Sequence, residues 1–175
     1  MRVLAVIRNG NVTLHSRNGK VFENFAHIEN QIRAATKDLD ETWVLDGEIT
    51  SSTFQDLMKQ VHRKRDADAT DAVYNLFDIV PLRSFQNGRD DLAQIQRSEF
   101  LRDFMDLFRS AGCDNIRMLD FKAVDLDTEE GMEVLNTMRS QAKDMGLEGV
   151  MVKDADAPYE CKRTTAWLKL CLLYT

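Results

Sequence analysis

Val44-Leu45-Asp46-Gly47-Glu48-Ile49 is an apolar, strand-forming run that carries two carboxylates around a glycine. Strand side chains alternate between faces, so Asp46 and Glu48 point the same way. The glycine between them lets backbone and ligand approach closely. A counterpart lies far downstream in Gly146-Leu147-Glu148-Gly149-Val150-Met151-Val152-Lys153, where again a Glu adjoins a Gly within strand-forming residues. The two runs are expected to bring Glu48 and Glu148 together at the rim of a sheet. Acids in that arrangement suit a hard divalent cation such as Mg²⁺, or ribose hydroxyls. The plain alternative is a set of solvated acids at strand ends, since Asp-Gly is a common turn.

Working outward, Val3–Ile7 and Val12–Ser16 flank Asn9-Gly10, a pair that favours the positive φ angles of a tight hairpin. A second turn, Arg17-Asn18-Gly19-Lys20, leads into Val21-Phe22. Apolar residues at helical spacing predict helices over His27–Leu39, Thr53–Lys64, Leu92–Ala111 and Thr128–Met145. In the third of these Ile95, Phe100, Leu101, Phe104, Leu107 and Phe108 are expected to line the core. Thr128 is a natural cap for the fourth, with acids behind it. Further strands are expected over Ala72–Val80, Ile116–Val124, Val150–Lys153 and Trp167–Leu170, and Asp66–Asp71 reads as a polar surface loop. Early hairpins followed by helices between strands give an α+β fold with two sheets, not a regular parallel array.

The 175 residues suffice for one domain with its own core. No apolar run reaches the roughly 18–20 residues that span a bilayer, and no signal peptide is visible, which makes a cytoplasmic, membrane-free protein the default. Cys113, Cys161 and Cys171 are odd in number and lack C-x-x-C spacing, so free thiols are expected and no zinc set emerges. The net charge of −6 gives no general attraction for nucleic acid. Local cations must do that work. Lys153, Lys162, Arg163 and Lys169 are interleaved with Tyr159 and Trp167, and could neutralise phosphates or simply form a solvated face. His62-Arg63-Lys64-Arg65 could touch a DNA backbone or merely favour a helix C-terminus. Phe77, next to Asp78, could stack on a flat base or sit in the core.

Taken in order, Ser16-Arg17-Asn18-Gly19-Lys20, Leu45-Asp46-Gly47-Glu48, Leu76-Phe77-Asp78-Ile79, Glu148-Gly149-Val150-Met151-Val152-Lys153 and Trp167-Leu168-Lys169 resemble the successive nucleotidyltransferase motifs of ATP-dependent DNA ligases. The type closest in size and spacing is the compact ligase of bacteriophages and some bacteria. Each motif is loose alone; five in order across nearly the whole chain form a specific signature. The resemblance implies a nucleotidyltransferase (ATP-grasp-like) fold with two antiparallel sheets flanked by helices, ATP and Mg²⁺ as cofactors, nicked double-stranded DNA as partner, and a monomer. It also implies roles. Arg2 would lie near the ribose, Arg17 would contact a phosphate, and Glu48 would bond the ribose or help place metal. Phe77 would stack on adenine, and Glu148 would hold the metal. Lys153 would line the nucleotide pocket, and Lys169 would reach the α-phosphate with Arg163 nearby.

Two departures from the family pattern stand out. The nucleophilic lysine belongs to K-x-D-G-x-R, and residues 1–175 contain no such motif; Met1-Arg2 looks like its last two positions. The lysine is therefore expected upstream of Met1. At the other end the family pattern W-x-K-x-K meets Cys171 in place of the second lysine, and no oligonucleotide-binding barrel follows. By resemblance, residues 1–175 are a single, incomplete adenylation domain that is inactive alone. An mRNA-capping enzyme, an RNA ligase, or a non-catalytic nucleotide- or DNA-binding remnant are the other readings these residues allow.

Overall fold

The computed structural model describes residues 1–51 and 71–172. The expected helix Thr53–Lys64, the basic run His62–Arg65 and most of the polar loop after it lie outside those residues. Strands β1 (Arg2–Arg8) and β2 (Asn11–Ser16) form the expected hairpin, with Asn9 at φ 49° and Gly10 at φ 73° in its turn. The short β3 (Val21–Phe22) extends it, and α1 (Ala26–Thr36) follows, burying Ile28 and Ile32. Then come β4 (Trp43–Thr50), β5 (Val73–Pro81), a short α2 (Leu82–Gln86) and β6 (Arg89–Asp90). After these α3 (Gln94–Ser110), β7 (Ile116–Met118), α4 (Glu129–Asp144), β8 (Gly149–Lys153), β9 (Tyr159–Glu160) and β10 (Trp167–Cys171) complete the chain.

The α+β class holds, with more detail than the sequence offers. The described residues form a six-stranded sheet in the order β3-β2-β1-β4-β5-β7 and two two-stranded sheets, β10-β8 and β6-β9. So the sheets number three among the described residues, not two. They are not all antiparallel either: β7 runs parallel to β5. The chain reaches β7 through α3, and parallel neighbours need such a crossover. The expected strand Ile116–Val124 ends early, at Met118, once the Leu119 amide has bonded the Leu76 carbonyl. Beyond it the Asp120–Asp127 stretch mixes acids with isolated apolar residues and stays largely exposed. At α4 the Thr128 hydroxyl accepts a hydrogen bond from the Gly131 amide at 3.1 Å, the cap expected from the sequence.

The main core fills one face of the large sheet. Val3, Ala5, Ile7, Leu45, Ile49, Tyr74, Leu76 and Ile79 meet Ile28 and Ile32 of α1 and Leu101, Phe104 and Phe108 of α3. The register of α3 differs from the expected one. Gln94, Arg97, Ser98, Leu101, Phe104, Met105 and Phe108 are the buried residues, while Ile95 and Phe100 are not among them. Phe100 instead covers Trp43, ring centroids 4.9 Å apart. The opposite face carries a smaller cluster of Leu4, Val6, Val44, Val80 and Leu82 beneath Tyr159 and Trp167.

Gly47 is required by this packing rather than by a ligand. A Cβ there would lie 2.6 Å from both the Asn75 carbonyl oxygen and the ring of Tyr74. The Tyr74 ring fills that space, and its hydroxyl lies 2.9 Å from the Val3 carbonyl and 2.8 Å from that of Leu45. The close approach expected at this glycine is real, but a buried tyrosine makes it. Overpacking of this kind costs about 1–3 kcal/mol. Gly47→Ala should lower the urea midpoint accordingly without changing the m-value, and an unchanged midpoint would show that the Tyr74 ring yields freely.

Candidate functional site

The second face of the sheet is where the motifs meet. β1, β4 and β5 lie side by side there, with Arg2 opposite Glu48 and Asp46 opposite Asp78. Between Asp46 and Gly47 the ladder slips: Asp46 pairs with Asp78 and Gly47 with Leu76, leaving Phe77 without a partner across β4. This bulge turns both Phe77 and Asp78 toward the second face, and bulges recur beside functional sites because they re-aim a side chain in this way.

Asp46 is fully buried, which corrects the expectation of a rim acid free for metal. Arg2 Nε donates to its Oδ1 at 2.9 Å, Arg2 Nη2 to its Oδ2 at 2.5 Å, and the Tyr159 hydroxyl to the same Oδ2 at 2.8 Å. Burial raises the Asp46 carboxyl above the usual range, and the Arg2 hydrogen bonds pull back against that shift. Burial is the largest single influence on Arg2 and opposes its charge, but the hydrogen bond and charge of Asp46, joined by Tyr159, together hold the guanidinium above its ordinary pKa. Asp78, equally buried, is bound by Arg97 through Nε at 2.9 Å and Nη2 at 3.2 Å. Arg97 also donates to the Ala157 carbonyl and lies 5.6 Å from the Tyr159 ring centre. Sequence reasoning misses Arg97 and the full role of Tyr159. The signal for Arg97 is its position three residues after Gln94 and four before Leu101, a cation on the buried stripe of a helix.

Above this buried layer sits an aromatic and cationic one. Lys153 Nζ donates to the Phe77 carbonyl at 3.1 Å and lies 3.8 Å from Asp78 Oδ2. The same ammonium is 4.0 Å from the Trp167 ring centre and 5.0 Å from that of Phe77. Arg2 is 5.7 Å from both rings, and Phe77 meets Trp167 edge-on at 5.9 Å. Desolvation lowers the Lys153 pKa to about 8, although Asp78 and Asp46 work in the other direction. Phe77 is thus half-buried at a surface lined with cations, not sunk in the core.

Glu48 and Glu148 are both exposed. Glu48 accepts from the Met1 amine at 2.6 Å, and Glu148 pairs with Lys169. The Glu148 hydrogen bond holds the Lys169 pKa up, with a small further push from the charge of Glu48. The Lys169 contact lowers the Glu148 pKa. Among the described residues no group of three or more His, Cys, Asp or Glu is arranged to hold a metal ion. Arg17 is exposed in the turn after β2 and follows Ser16, which pairs with Val3, so it stands at the same end of the sheet as Arg2. Arg163 is exposed in the loop before β10 and has no described contact with the other candidates. The three cysteines are free thiols. No helix among the described residues is long and apolar enough to cross a membrane.

This layout can be set beside known proteins. No curated protein sequence matches the chain significantly. Two solved chains named Pmar-Lig_PreS3 and Pmar-Lig_Pre share 44% identity with it over 98% of its length, with TM-scores of 0.90 and 0.89; it spans 40% of each of them. The ATP-dependent DNA ligase of bacteriophage T7, in complex with ATP, shares the fold at 19% identity and a TM-score of 0.73, over 97% of this chain and 58% of that one. The ligase domain of LigD from M. tuberculosis does so at 23% identity and a TM-score of 0.59, over 96% and 49%. Residues 1–170 match the family model for the ATP dependent DNA ligase domain. By that match this chain belongs to the ATP-dependent DNA ligase family.

Proposed function

We propose that residues 1–175 build the nucleotide pocket of a ligase adenylation domain, serving a parent enzyme that seals nicks in double-stranded DNA. One observation carries the reading: Arg2 and Lys153 converge on Phe77 at one sheet face. Phe77 stacks on the adenine. Lys153 and Arg2 supply positive charge beside it, and Glu48 takes the ribose. Lys169 reaches the α-phosphate, and Arg17 meets a phosphate of nucleotide or DNA; Arg163 is assigned to the same basic segment.

In the proposed reaction a lysine amine attacks the α-phosphorus of ATP and pyrophosphate leaves. AMP then passes to the 5′-phosphate at a nick, and the 3′-hydroxyl displaces it. The attacking amine must be neutral, and nearby cations favour that by lowering its pKa. No K-x-D-G-x-R lies within residues 1–175, so that amine is assigned to a segment outside them. Glu48 and Glu148, both exposed, are the acids assigned to Mg²⁺, which keeps much of its water and is commonly held by one or two carboxylates plus substrate phosphates. Bound there, Mg²⁺ would neutralise phosphate charge. The rest falls to the protein: Lys169 must leave Glu148 to meet a phosphate, and Arg2 must remain on Asp46 to hold its place.

Three outcomes test this. Incubated with α-labelled ATP, the 175-residue chain should bind nucleotide yet retain no acid-labile AMP after denaturation, whereas labelled protein would place the nucleophile inside these residues. Stacking on an aromatic is worth about 1–3 kcal/mol per base, so Phe77→Ala should weaken ATP binding about 5- to 150-fold by calorimetry; equal affinity would remove Phe77 from the pocket. Because the Lys153 ammonium persists below about pH 8 and is lost above it, ATP affinity should fall as pH rises through and beyond 8. That fall should vanish in Lys153→Met, and a Lys153→Met titration that tracks the wild type would exclude Lys153 from phosphate attraction.

A further inference from the structure

Away from the candidate site, a cleft of about 470 Å³ runs along the outer edge of β7 beside α3. Arg102, Arg109 and Arg117 line it with Met105, Met118 and Phe121, and Asp120 shares the lining. Met105 and Ile116 give it an apolar floor, 5% and 4% exposed. Arg109 is paired with Asp106 on its own helix. Arg102 and Arg117 are exposed and make no ion pair among the described residues. The Arg102 guanidinium lies 4.7 Å from the Phe121 ring centre. A guanidinium laid against a ring keeps its fork of donors outward, and that preorganisation leaves less entropy to lose when an anion is bound.

In a chain of net charge −6 the cleft lining is locally positive, three arginines against Asp120 over an apolar floor. Their position matters as well. Met118 pairs with Leu76, the residue before Phe77, so the cleft adjoins the strand that presents Phe77 but lies around the sheet edge from it. We propose that this cleft is a second DNA contact, in which Arg102 and Arg117 take backbone phosphates of the duplex beyond the nick. This rests on the reading that the parent enzyme acts on DNA. The forked donors match phosphate oxygens, and a duplex supplies a dense row of charges that can reach both arginines at once. Such a contact positions the duplex and does not read its sequence.

The experiment measures the full chain binding a labelled nicked duplex by fluorescence anisotropy between 50 and 200 mM salt, beside calorimetric ATP binding and thermal melting. Each phosphate contact contributes about 0.9 to the slope of log affinity against log salt. R102A/R117A should therefore flatten the slope by about 2 and weaken duplex binding about tenfold or more at low salt. ATP affinity and melting temperature should stay unchanged, and R102K/R117K should restore most of the slope. An unaltered slope in R102A/R117A overturns the proposal. So does a variant that keeps duplex affinity but loses an aspartate- and glutamate-rich peptide, which would make the cleft a protein-docking surface. A wild-type chain that binds ATP but no duplex also overturns it while the nucleotide reading stands. Duplex binding that depends on Arg102 and Arg117 in a chain that fails to bind ATP would support the cleft and sink the pocket.

Discussion

A carboxylate withdrawn from water must have its charge met, and two such carboxylates lie side by side here. Asp46 and Asp78 are directly paired across β4 and β5, and both are fully buried. Like charges opposite one another destabilise a sheet. Each is answered by its own guanidinium: Arg2 from β1 for Asp46, and Arg97 from α3 for Asp78. Tyr159 joins the two halves, donating to Asp46 while facing the Arg97 guanidinium. Separate stretches of chain are thereby fixed around one polar layer. Breaking such a buried pair by deleting one partner costs about 3–5 kcal/mol, whereas apolar replacement of a whole set is often neutral. The layer is better understood as a device for position than as a source of stability.

What it positions is charge. Around the two buried aspartates stand three cations, the buried Arg97, the half-buried Lys153 and the more exposed Arg2, so the set carries an excess positive charge whenever the Lys153 amine is protonated. The rings of Phe77 and Trp167 shelter that ammonium from water while attracting it through their faces. An anion arriving at this surface meets a field already in place, and little need rearrange to receive it.

Much of this is legible in the amino-acid order itself. The Asn9-Gly10 hairpin, the Thr128 cap and the succession of motifs each depend on residues close in sequence, and local rules describe them well. The failures share one cause, which is distance along the chain. Asp46 reads as a rim acid because its two partners are 44 and 113 residues away. The buried face of α3 is misjudged because Phe100 is an obvious core residue until Trp43 offers it another surface. Arg97 escapes notice because a buried arginine is intelligible only once Asp78 is opposite. Phe77 stays open between base and core, since the Lys153 and Trp167 that border it come from β8 and β10, whose packing on the sheet no pattern foretells.

The bulge has a consequence for how this strand carries Phe77. Skip Phe77, and β5 reads Tyr74 inward, Asn75 outward, Leu76 inward, Asp78 outward, Ile79 inward, Val80 outward, an unbroken alternation that suits both faces. The sheet would be complete without it. Phe77 is in effect a residue inserted into a finished strand, surplus to the ladder and carried for what its ring touches. Ladder and contact surface are usually entangled in every side chain of a strand; here they come apart at a single peptide unit, so a loss at that position would remove the ring from the cations around it and leave the ladder whole.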